Sequence, residues 1–174
     1  MKLFGKIILL LAVMAFSVSV NAQDADKNMQ EVQAFLKECK TFYIATVDKD
    51  QPRVRPFGVA EIVDGKLYII TGKKKDVFKQ MAANGKFEIC ALKPSGFEWI
   101  RISGTLVNDE TIAVKQTILD RNPGLKSMYK ADDDNCAVLY ITEGIARICT
   151  FSAPDRILKF YNYSSFSFAQ LLCS

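Results

Sequence analysis

The chain has no histidine among its 174 residues, and that absence removes several chemistries at once. A Ser-His-Asp or Cys-His nucleophile, the usual zinc sites with histidine ligands and histidine-ligated haem all require an imidazole. Five cysteines are present, but their spacing contains no CxxC and no metal-binding pattern. Cys90, Cys136 and Cys149 fall in strand-like apolar runs and Cys39 ends a helical stripe, so these four are predicted to be small buried hydrophobes, with Cys173 the exposed thiol. Net charge is also small, with 23 Lys and Arg against 19 Asp and Glu. The formal net charge of +4 falls to +2 once Lys2 and Lys6 are removed with the N-terminal segment, which gives no case for binding nucleic acid or a membrane surface. No internal repeat, domain linker or recognisable catalytic acid or base is found. Whatever chemistry occurs is expected to come largely from a cofactor.

The N-terminal segment carries Lys2 and Lys6, an apolar run from Ile7 to Val18, and then Val20-Asn21-Ala22. This order reads as a secretory signal over residues 1–22, cut after Ala22. The apolar run is shorter than the roughly 20 residues a spanning helix needs. No stable membrane anchor is therefore expected after cleavage, and no cysteine follows the cut to carry a lipid. The mature chain of about 150 residues suits one domain with a single core, exported to the periplasm or secreted.

Its organising stretch is QPRVRPFGVAEIVDGKLYIITGKKKD, residues 51–76. Arg53 to Val63 and Lys66 to Thr71 read as two strands joined at Asp64-Gly65, a dipeptide suited to a tight hairpin turn. Arg53 and Arg55 lie two apart and so leave one face of an extended strand. Pro56 inside a strand pattern belongs at an edge or bulge, where backbone groups are free. The second strand runs into Gly72 and Lys73 to Lys75, then into a helical pattern with Val77, Phe78, Met81 and Ala82 on one stripe. A lysine run alone is usually a solvated surface. Charged donors joined to the positive end of a helix dipole favour an anion, above all a phosphate.

Around this stretch, Met29, Val32, Leu36 and Cys39 predict an amphipathic helix from Asn28 to Lys40. Thr41 to Val47 predicts a strand ending at the polar turn Asp48-Lys49-Asp50. The helix from Lys75 to Ala83 stops at Asn84-Gly85, and Lys86 to Leu92 resumes a strand. In FEWIRISGTLV, Phe97, Trp99, Arg101 and Ser103 share one face, and Glu98, Ile100 and Ile102 the other. A helical insertion follows, Asp109 to Arg121 capped by Asn108 and Pro123 to Lys130. Strands return at Cys136 to Ile141 and Ile145 to Phe151, joined around Glu143-Gly144, and at Asp155 to Phe160. The pattern is a mainly β domain over residues 23–160, predominantly antiparallel, a closed or half-open barrel with helices outside. Residues 161–174 read equally as an added strand or a poorly ordered tail.

The succession FYIATVDKDQPRVRPFG, KLYIITGKKKDVFKQM, KFEICAL, EWIRISG and NPGLKSMY resembles the small flavoproteins related to pyridoxamine 5′-phosphate oxidase. The resemblance implies a six-stranded antiparallel FMN-binding split barrel that forms a homodimer, with FMN at the subunit interface. It implies that Arg55 is the strand arginine of the flavin site and that Pro56 and Phe57 place backbone beside the ring. Ile70 and Thr71 would meet the cofactor at a strand end. Lys74 and Lys75 would bind its phosphate, with Lys73 able to replace Lys74. Trp99 would approach the isoalloxazine from the following hairpin, with Arg101 beside it. FMN needs donors for a phosphate dianion, an apolar or aromatic surface, and a positive group near the ring edge where charge accumulates on reduction. Authentic pyridoxamine phosphate oxidases carry a longer C-terminal segment with an arginine and a histidine, so oxidation of pyridoxamine phosphate is not expected. The relatives also include nitroimidazole reductases, deazaflavin-dependent reductases and haem-degrading enzymes, and the missing histidine counts against those readings that use one.

Two functional classes follow. One is an exported FMN-dependent oxidoreductase acting on a small organic molecule, with no metal and no assigned catalytic residue. The other is a non-catalytic protein that holds a flavin or another planar ligand in the same barrel.

Overall fold

The computed structural model describes residues 23–161. The expected signal segment 1–22 and nearly all of the 161–174 tail, including Cys173, lie outside those residues. Helix α1 spans residues 23–39. The strands and helices that follow are β1 (Phe42–Asp48), β2 (Gln51–Phe57), β3 (Ala60–Val63), β4 (Lys66–Gly72), α2 (Asp76–Ala83), β5 (Lys86–Leu92), β6 (Glu98–Asp109), α3 (Ile112–Arg121), a 3₁₀ turn (Pro123–Ser127), β7 (Cys136–Thr150) and β8 (Arg156–Phe160).

All strands join one antiparallel sheet in the order β2-β1-β5-β6-β7-β4-β3, with β8 added to β7. Only Gly58 and Val59 separate β2 from β3, which occupy opposite ends of that order. Three residue steps span at most about 11 Å, so the two edges must lie close together. The sheet is therefore curled into a split barrel, and the link at Gly58-Val59 crosses its seam. Among the described residues there are eight strands where the family resemblance implied six: β2 and β3 are separate strands, and β8 is an addition to the second half of β7.

The supposed single strand Arg53–Val63 is thus two strands belonging to two hairpins. β3 pairs with β4 across Asp64-Gly65, whose φ values of 47° and 70° are those of the expected tight turn. β2 pairs instead with β1 across Lys49-Asp50, in the register Asp48 opposite Gln51. Pro56 lies on the edge strand, where a missing N–H costs no ladder bond.

β4 is buried on both faces, which is why KLYIIT reads as a nearly continuous apolar run. Leu67 and Ile69 face the barrel core with Ile44, Ile89, Ile100 and Ile102. Tyr68 and Ile70 face outward under Val114, Ile118 and Leu119 of α3. α1 adds Met29, Val32 and Leu36 to the barrel core; it begins earlier than the expected Asn28 because Ala25 is buried as well. Glu61 on β3 ties these layers together. Its nearly buried carboxylate accepts from Lys37 at 3.1 Å and Gln33 at 3.2 Å on α1, and from Asn122 at 3.3 Å after α3.

Three further expectations are corrected. Glu143-Gly144 is no turn: β7 runs unbroken through it, bending where Glu143 takes φ 54° and where the β6 register shifts between Ser103 and Thr105. The helical insertion is shorter, because Asn108 and Asp109 still belong to β6, Thr111 stands at the N-cap of α3, and Pro123–Ser127 is a 3₁₀ turn. Cys136 and Cys149 are buried and Cys39 is half-buried, but Cys90 is exposed on the outer face of the sheet. Alternation within β5 buries Phe87, Ile89 and Ala91 and so turns Cys90 outward.

A basic cleft at the barrel seam

At the seam a cleft of about 410 Å³ opens between the β2 edge, the end of β4, the start of α2 and the 3₁₀ turn. Arg55, Pro56, Phe57, Gly58 and Val59 form one wall, Ile70 and Thr71 the floor, and Lys75 and Val77 one end. Leu125, Met128 and Tyr129 close the other side. Of the residues expected at a flavin site, six therefore converge here: Arg55, Pro56, Phe57, Ile70, Thr71 and Lys75.

Local sequence explains each placement. In β2 the alternation puts Arg53, Arg55 and Phe57 on the inward face, opposite Thr46, Ile44 and Phe42. Phe57 stacks on Phe42 with ring centroids 6.1 Å apart. Arg53, nearer the turn, pairs with Asp48 at 3.6 Å and stays out of the cleft. Arg55 reaches inward and donates to Thr46 Oγ1 at 2.8 Å and to Gln80 Oε1 on α2 at 2.6 Å.

The three consecutive lysines have three different fates. Lys73 turns away from the cleft to Glu110, 2.7 Å from its carboxylate. The Lys74 main-chain N–H donates to Asn135 Oδ1 at 3.2 Å, while its side chain is exposed and does not line the cleft. Lys75 is the N-cap of α2 and borders the cleft. The first turn of α2 has no side-chain cap, so the positive end of the helix stands beside the Lys75 ammonium.

Glu110 fixes this arrangement from behind. It accepts from Lys115, from Lys73 and from Asn108, and these donors, Lys115 first, hold its carboxyl at about 2 against an ordinary 4.5. Because the folded pKa is depressed, the stabilisation is complete above about pH 4.5 and is lost as pH falls toward 2. The midpoint of urea unfolding should therefore drop more steeply between pH 4.5 and 2 in the wild type than in Glu110→Gln. Parallel slopes would show that Glu110 contributes nothing to this loop's hold.

Trp99 and Arg101 lie elsewhere in the same chain. Both project from the outer face of β6, where the Trp99 ring packs 5.2 Å from that of Phe151 and Arg101 donates to Glu88 at 2.6 Å. In the register Pro56-Tyr43-Cys90-Arg101, Arg101 is three strands from the β2 edge, about 14 Å across the sheet. Sequence reasoning assigned no role to Leu125, Met128 or Tyr129, although the segment NPGLKSMY contains all three. Their signal was apolar side chains in a polar insertion; Met128 remains 58% exposed, with its side chain at the cleft mouth. Gln80 and Asn135 carried no sequence signal at all.

The arrangement offers a guanidinium, an ammonium and a helix N-terminus along one side and apolar surface along the other. It suits a planar ligand with an anionic tail, and the residues present fit FMN. Among the described residues no carboxylate borders the cleft. No group of three or more His, Cys, Asp or Glu side chains placed to hold a metal is found among the described residues.

Residues 29–116 match the pyridoxamine 5′-phosphate oxidase family. No curated protein matches the chain in sequence. Among solved structures, a NimC/NimA family protein from Clostridium acetobutylicum is 42% identical, covers 80% of this chain and 96% of its own, and superposes with a TM-score of 0.77. General Stress Protein 26 from Bacillus anthracis shares the fold at 16% identity and TM-score 0.61, covering 76% of this chain and 98% of its own. A heme binding protein from Mycobacterium smegmatis shares it at 13% identity and TM-score 0.59, covering 76% of this chain and 57% of its own.

Proposed function

This chain belongs to the pyridoxamine 5′-phosphate oxidase family, and from that premise we propose that it is an exported FMN-binding flavoprotein, an oxidoreductase acting on a small organic molecule. The observation that carries the reading is the convergence of Arg55 and Lys75 with apolar walls in one cleft of flavin-compatible size. Lys75 and the start of α2 would hold the phosphate. Arg55 would lie along the ring system, and Phe57, Ile70, Leu125 and Met128 would exclude water from its faces. The bound flavin supplies electron or hydride transfer. In this reading the protein's part is to bind, orient and tune.

A homodimer is part of the proposal. Tyr43, Val54, Leu92, Phe97 and Phe151 are large apolar side chains, each more than half exposed. Tyr43, Val54 and Leu92 share the outer sheet face with Trp99 and Arg101. Exposed apolar surface on this scale supports association, and a second copy docked there would bring its own Trp99 and Arg101 toward the cleft. Export rests on the Lys2, Lys6 and Val20-Asn21-Ala22 pattern.

An absorption spectrum of the purified mature protein tests the reading. It should show oxidised flavin bands, with FMN released on denaturation and the bands bleached by dithionite and restored by an acceptor. A colourless protein that takes up no FMN on titration would refute it. Tight FMN binding without turnover of any acceptor would assign the protein to the binding class.

A further inference from the structure

We propose that Gln80 and Thr46 form a neutral clamp that fixes the Arg55 guanidinium toward the cleft with its positive charge unpaired, so that Gln80, without touching the ligand, sets the electron affinity of a bound flavin. The inference rests on the flavin reading above and extends it to residues outside the cleft lining.

The clamp is a closed ring of hydrogen bonds. Arg55 Nη1 donates to Thr46 Oγ1 at 2.8 Å, Thr46 Oγ1 donates to Gln80 Oε1 at 2.9 Å, and Arg55 Nη2 donates to the same Gln80 Oε1 at 2.6 Å. Thr46 is 2% exposed, so the ring is anchored in the barrel wall on one side and in α2 on the other. Two bonds from one guanidinium to two fixed acceptors determine its plane as well as its position.

Both acceptors are uncharged, and the surroundings make that notable. Arg53, two residues earlier on the same strand, pairs with a carboxylate, as do Arg101, Arg121 and Arg156. Among the described residues no carboxylate comes within ion-pair distance of Arg55. The acid on the same helix, Asp76, is one turn before Gln80 and is paired with Lys79 at 3.0 Å. An arginine held by a carboxylate would present little net charge to a ligand; one held by an amide and a hydroxyl presents most of it, with Asp76 feeling its charge only from beyond ion-pair distance. A positive group beside the ring favours the reduced, anionic state over the oxidised one. A merely structural Gln80, tying α2 to β1, would be replaced equally well by glutamate, which has the same shape and accepts the same bonds.

The test uses full-length mature protein, Gln80→Glu and Gln80→Leu, with two readouts. Nitrogen NMR of the Arg55 guanidinium, without flavin, should show restricted rotation in the wild type and Gln80→Glu, and free rotation in Gln80→Leu. Titration with oxidised and dithionite-reduced FMN should show Gln80→Glu binding the oxidised form within a few-fold of wild type. Its preference for the reduced form should fall at least tenfold, equivalent to about 30 mV for a two-electron couple. A reduced-to-oxidised affinity ratio within twofold of wild type in Gln80→Glu overturns the electronic role. Unchanged Arg55 rotation in Gln80→Leu overturns the clamp. A wild type that takes up no FMN overturns the flavin reading and the electronic role with it, and the NMR comparison alone then decides whether the clamp exists.

Discussion

Replacing Lys75 with alanine should weaken FMN binding about ten- to a hundredfold and leave riboflavin binding unchanged. Lys75 is the one lysine of the run that borders the cleft, and it does so at the uncapped start of α2, where backbone amides and helix dipole already favour an anion. A charge-assisted hydrogen bond is worth roughly 1.5 to 3 kcal/mol, which gives that range of affinity. Riboflavin lacks the phosphate and so reports the rest of the site. Lys74→Ala should cost much less, because the main-chain N–H and not the ammonium is what holds that residue in place. Lys73→Ala should act only indirectly, by freeing Glu110 from one of its partners. Titrations of the three single variants with both flavins check the set. Equal losses for FMN and riboflavin in Lys75→Ala would place the phosphate site elsewhere.

Gly144→Ala should destabilise the fold by about 3 kcal/mol, at the upper end for overpacking a core by one methyl group. A Cβ built on Gly144 would stand 2.2 Å from Cζ, 2.3 Å from Cε2 and 2.6 Å from Cε1 of Phe160. Phe160 lies directly opposite in the β7–β8 register and is fully buried, so its ring covers the bare glycine and has nowhere to retreat. The constraint is space and not backbone conformation, since the left-handed φ in this bend belongs to Glu143. The double variant Gly144→Ala/Phe160→Leu should be less destabilised than the sum of its two single variants, with a coupling of 1 kcal/mol or more by urea denaturation, of the order found for residues in contact. A Gly144→Ala protein within about 0.5 kcal/mol of wild type would show that β8 packs differently.

Periodicity and turn chemistry in the sequence were enough for most of the elements. Asp64-Gly65 forms the turn it predicts because few dipeptides tolerate two positive φ values, and KFEICAL forms β5 as expected because its apolar alternation admits one face. Pro56 marked an edge because it cannot serve a central ladder. That Arg55, Phe57 and Lys75 belong to one region was also legible, through resemblance and through the coincidence of arginine, lysine and helix start, whereas Tyr129 was not expected there and Trp99, Arg101 and Lys74 do not line the cleft. Tertiary structure decided the rest. A strand's period of two reads the same whether the strand continues or changes partners, so the break at Gly58-Val59 and the continuity through Glu143-Gly144 were both hidden. The first depends on the opposite edges of a curled sheet meeting, the second on a phenylalanine from another strand filling the space of an absent side chain. Three adjacent lysines are chemically equal in sequence and differ only because Glu110, far along the chain, captures one, Asn135 holds the backbone of the next, and the third is left to face the cleft.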